Sequence, residues 1–119
     1  MTASTNKSSF PAGEEPVLTL TVSNTGQSDC AVNVGTSQME FQVTREGERV
    51  FSSVDCQEGA EDLEKTMTAG KEEKANFQWN RTRSVPGCEV QNQELESGDY
   101  VLITKLGSRI SDGTTFTLQ

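Results

Sequence analysis

The sequence contains no histidine. That removes Ser-His-Asp and Cys-His catalysis, imidazole-ligated metals and any imidazole pH switch. Bases are scarce as well: 10 Lys and Arg stand against 18 Asp and Glu, a formal charge of −8. A chain of that balance lacks the basic face that nucleic acids or anionic membranes require. No apolar run approaches the roughly 20 residues that span a bilayer. The opening Met1-Thr2-Ala3-Ser4-Thr5-Asn6-Lys7 is polar and has no signal-peptide pattern. Aromatic residues are few (one Trp, one Tyr, five Phe), so a sugar-stacking platform is poorly supplied. Apolar residues make up only 32% of 119 positions, so the core has to be built by regular alternation.

The alternation is there. Val17-Leu18-Thr19-Leu20-Thr21-Val22-Ser23 puts three aliphatic side chains on one face and hydroxyls on the other, the period of a half-buried strand. Met39-Glu40-Phe41-Gln42-Val43-Thr44 repeats the pattern. Glu46-Gly47 turns it into a return strand, Arg49 to Val54. Lys74 to Trp79 alternates with Ala75, Phe77 and Trp79 inward. Tyr100 to Leu106 and Thr115 to Leu118 follow, joined by a turn at Ser111-Asp112-Gly113. Residues 31–34 form a short strand. Residues 62–67 suit either a helical turn or a strand. Residues 1–9 form a flexible tail or edge strand before a single domain over 10–119. Seven or eight short strands with frequent turns predict an all-β, immunoglobulin-like antiparallel sandwich. Leu95-Glu96-Ser97-Gly98-Asp99-Tyr100 has the layout of a tyrosine corner, in which a phenol bonds back to the preceding loop.

Cys30, Cys56 and Cys88 are too few for a disulfide framework and fit no zinc spacing. In a simple up-and-down strand succession, Cys56 and Cys88 fall at one end and Cys30 at the other. A Cys56–Cys88 disulfide with Cys30 free is therefore expected. It implies an oxidising, extracytoplasmic compartment. The function is expected at that end of the sandwich, where the irregular 80–97 stretch is held.

That stretch carries the candidate binding loop: Arg81, Arg83, Ser84, Val85 and Pro86, ending at Cys88. A pinned, extended, arginine-bearing loop can work as a substrate-like protease inhibitor, because pre-organisation lowers the ordering cost of binding. Arg81 or Arg83 would then enter a trypsin-like specificity pocket. The plainer reading is a connecting loop whose arginines pair with acids. Asp55, Glu58, Glu61 and Asp62 do not match a calcium loop and read as a solvated acidic segment. Asn6-Lys7-Ser8 and Asn80-Arg81-Thr82 match the N-glycosylation pattern. No catalytic residue, metal site or cofactor is expected.

The run from Phe10 to Asn24, with its Gly13-Glu14 turn and alternating strand, resembles the opening of the intracellular proteinase inhibitor (BsuPI-like) domain family. Met39-Glu40-Phe41-Gln42-Val43, the following hairpin with Val50-Phe51-Ser52-Ser53, and Ser97-Gly98-Asp99-Tyr100-Val101-Leu102 extend the likeness over residues 10–106. The three cysteines and the longer 80–97 loop depart from that family. Ser52-Ser53-Val54-Asp55-Cys56 and Trp79 to Ser84 with Cys88 are similar to uncharacterised extracytoplasmic domains of high-GC Gram-positive bacteria. This second resemblance implies a sandwich on a secreted or membrane-tethered protein, with a protein or cell-wall partner. A protease is one such partner. The resemblance supplies no activity, and the acidic charge and short apolar runs leave no nucleic acid and no membrane insertion by this chain to be expected.

Overall fold

A computed structural model describes residues 1–89 and 95–119. Residues 90–94 of the 80–97 stretch lie outside the described residues. The fold is all-β. In chain order the strands are β1 (Thr2–Thr5), β2 (Ser9–Phe10), β3 (Val17–Ser23), β4 (Cys30–Asn33), β5 (Met39–Arg45) and β6 (Glu48–Ser52). They continue as β7 (Glu64–Met67), β8 (Glu72–Gln78), β9 (Gly98–Leu106), β10 (Arg109–Ile110) and β11 (Thr114–Leu118).

Alternation dictates the layers. Leu18, Leu20 and Val22 line the inner face of one sheet, ordered β1-β3-β8. Phe41, Val43, Val50, Tyr100, Leu102, Phe116 and Leu118 line the inner face of the second, ordered β2-β11-β9-β5-β6 with β10 on β9. Trp79 follows β8 and is wholly buried among Phe51, Tyr100 and Phe116, with ring centroids 5.4, 6.4 and 6.1 Å away. Such aromatic clusters bury large apolar areas and favour tilted or edge contacts. The indole N–H donates to Thr82 O at 3.2 Å, so burial leaves no donor unpaired.

The hairpin at Glu46-Gly47 has φ values of 52° and 81°. That is the left-handed pair a two-residue type I′ turn demands, and glycine takes it without strain. The tyrosine corner is formed, with Tyr100 Oη donating to Glu96 O at 2.5 Å. Arg45 lies over the ring, its guanidinium carbon 5.4 Å from the centroid.

Two features, the first and the fourth below, differ from the sequence expectation, and the other two resolve what it left open. First, the strands do not succeed one another up and down. β8 pairs with β3, and β9 lies between β5 and β11. Long amphipathic strands are placed by which face they can bury, not by chain order. Second, residues 62–67 yield a short strand, and β7 pairs with β4 in a separate two-stranded sheet. Third, the N-terminal segment divides between the layers. β1 is antiparallel to β3, and β2 runs parallel to β11 with Phe10 buried. Fourth, the last hairpin turns at Gly107, at φ 60°. Ser111 instead makes a kink, where its N–H donates to Thr104 O and its Oγ accepts from Thr104 N. Both residues are buried, so the reciprocal bonds satisfy them.

Candidate functional site

Cys56 and Cys88 form a disulfide with Cα atoms 4.8 Å apart. It ties the connection after β6 to the loop after β8. Cys30 is an exposed free thiol. Val85-Pro86-Gly87-Cys88 is a β-turn closed by Cys88 N donating to Val85 O at 3.0 Å. Pro86 suits the first central position, and Gly87, at φ 89°, suits the second.

The loop's polar residues are held from within. Arg81 adopts φ 62°. Its Nη1 donates to Pro11 O at 2.6 Å and Glu14 O at 3.3 Å, and its Nη2 donates to Gln119 O at 2.9 Å. The expectation that Arg81 is offered outward to a protease pocket is corrected, because the guanidinium clamps the loop to two other chain segments. Ser84 is likewise an anchor. Its N–H donates to Val50 O, and its Oγ accepts from Ser52 N at 2.9 Å. The same hydroxyl lies 2.6 Å from Asp55 Oδ2. Asp55, whose side chain is only 3% exposed, also accepts from Arg49 Nη2. A buried carboxylate needs such partners, so Asp55 does not belong to a solvated acidic segment. Asp62 remains on the surface. Hydrogen bonds from Ser37 and then Asn33 hold its carboxyl below the ordinary aspartate pKa. Arg83 is half-buried and makes no ion pair among the described residues.

Arg83 and Ser84 line a groove of about 890 Å³. Its apolar floor joins the two layers: Met39 and Phe41 of β5, Phe51 of β6, and Ala75 and Phe77 of β8. Phe41 and Phe77 stack across it at 5.5 Å, and Phe51 and Phe77 meet at 5.7 Å. The wall after β6 carries the exposed Glu58 and Glu61. A smaller cavity of about 150 Å³ continues past Met39 and Ala75 toward Leu63 and Lys65. Alternation places Phe41 and Phe77 on inward faces. Alternation reveals which face a residue takes, but not whether a neighbouring strand covers the gap between layers.

Asn80 also borders the groove and is exposed. Its side-chain oxygen accepts from Thr82 Oγ1 at 2.6 Å. Asn6 is engaged instead, accepting from Val17 N at 3.0 Å. Among the described residues no cluster of three or more His, Cys, Asp or Glu is arranged to hold a metal. No described helix is long and apolar enough to cross a membrane.

No family model and no curated protein matches this chain. Solved structures do. A β-glucosidase, EmGH1 from Erythrobacter marinus, aligns over 100% of this chain with a TM-score of 0.56 and 11% identity. A β-glucosidase from Listeria innocua, in complex with isofagomine, aligns over 98% with a TM-score of 0.51 and 14% identity. This chain spans only 15% and 16% of those two proteins. At that identity the likeness shows the sandwich fold alone.

Proposed function

We propose that this chain is a non-enzymatic binding module of a secreted or membrane-tethered bacterial protein, and that its ligand seats in the groove between β5–β6 and β8. One observation carries the reading: an open, aromatic-floored groove of about 890 Å³ with a rim tied by Cys56–Cys88. Concave apolar sites with a few polar groups at the rim are where ligands bind. The disulfide accords with an oxidising compartment. A protein or cell-wall partner fits that location. The missing histidines favour binding over chemistry.

The alternative is protease inhibition, suggested by the likeness to the proteinase inhibitor domains. It now depends on Arg83, since Arg81 is engaged by three carbonyls. Two measurements separate the readings. Calorimetric titration with soluble muropeptides and with extended peptides should give binding that Ala75→Trp weakens about tenfold or more, by filling the groove. Trypsin-like and subtilisin-like proteases should stay fully active. Undiminished binding by Ala75→Trp would refute the groove. Stoichiometric inhibition lost in Arg83→Ala would establish the alternative.

A further inference from the structure

We infer that the open edge of β8 accepts an extended, basic peptide as an added strand. The inference rests on the groove reading above and names the ligand's chemistry.

The backbone register supplies the argument. Trp79 N donates to Pro16 O, and Asn24 N donates to Lys71 O. With the unbroken pairing of Val17–Ser23 against Glu72–Gln78, these fix which β8 residues bond to β3. Glu73, Ala75 and Phe77 turn their N–H and C=O groups toward β3, so Lys74, Asn76 and Gln78 turn theirs away. Four consecutive residues, Ala75 to Gln78, line the groove. Side chains of a strand alternate between faces, so a consecutive run is lined only where a groove meets the strand's edge.

The other long edges of the two main layers are blunted. On β6, Ser84 takes up the outward groups of Val50 and Ser52. On β1, Thr114 Oγ1 donates to the outward Ala3 O at 2.6 Å. Among the described residues β8 has no such cap on Lys74, Asn76 or Gln78. Unpaired edge groups are a template for another strand. A strand added there would send alternate side chains onto Phe41, Phe51 and Phe77.

Charge favours a basic occupant. Of the charged residues that line the groove, Glu58 and Glu61 outnumber Arg83, and none of the three makes an ion pair among the described residues. The chain as a whole carries −8. Like charge would repel an acidic strand, and opposite charge steers a basic one.

The test is amide hydrogen exchange with three synthetic ten-residue peptides: alternating Val-Lys, alternating Val-Glu, and Val-Lys N-methylated at every second residue. The Val-Lys peptide should slow exchange at Lys74, Asn76 and Gln78 by about tenfold or more. The other two should not. Gln78→Pro, which removes an outward donor while sparing the bonds to β3, should weaken the effect. Unchanged exchange at those three amides overturns the inference. If muropeptides then shift the ring signals of Phe41, Phe51 and Phe77, the groove stands and only the peptide is refuted. If neither probe acts, both readings fall.

Discussion

Arg81 and Ser84 have the chemistry of recognition residues, yet both face inward to the protein's own backbone. Arg81 bridges three carbonyls from two distant segments, and Ser84 joins the β6 edge to the buried Asp55. Arg81→Ala should therefore lower unfolding stability by about 1–3 kcal/mol, as should Ser84→Ala. Urea denaturation measures both. Midpoints equal to wild type would show that these bonds are unimportant. The two residues also mark a limit of the sequence. It identifies Arg81 as an arginine in a loop, but its carbonyl partners Pro11, Glu14 and Gln119 lie 67 to 70 positions before it and 38 after it. No local pattern encodes such pairings. The tyrosine corner was legible because Tyr100 and Glu96 are only four residues apart.

At the scale of elements, strands with strong alternation were readable, and their neighbours were not. β3, β5, β8 and β9 stand where their patterns put them. Their order did not follow, since burial of an inner face constrains a strand's orientation more than its partner. The weak pattern at residues 62–67 gave β7, a strand with three exposed residues that, among the described residues, pairs only with β4. β7 lies beside β8, with Lys65 paired to Glu73, but it belongs to a separate sheet, so among the described residues β8 ends its own sheet. The connection after β6 needs a covalent tie, since it buries little besides Asp55. The Cys56–Cys88 bridge spans 32 positions. Loop-closure entropy gives it roughly 3–4 kcal/mol. The Cys56→Ser, Cys88→Ser double variant should lose about that much in chemical denaturation. A loss below about 1 kcal/mol would mean the loops hold without it.

The whole molecule is a two-layer sandwich closed along one side and open along the other. Phe10, Phe116 and Tyr100 fill the closed side, with Trp79 between them and Phe51. On the open side Phe41, Phe51 and Phe77 meet beneath the groove rather than beneath another strand. Phe41 and Phe51 are nearly buried and Phe77 is half-buried, so the proposed ligand would meet these rings at the bottom of a groove and not on an open face. In the proposed reading, the acids after β6 and the disulfide rim govern what approaches the groove. The most direct measurement is a residue-by-residue NMR shift map of the labelled protein, titrated with muropeptides and with the Val-Lys peptide. The predicted result is a cluster of shifts at Met39, Phe41, Phe51, Phe77 and Arg83. Shifts gathered instead around Gly26 and Gly107, or none with either probe, would contradict the account.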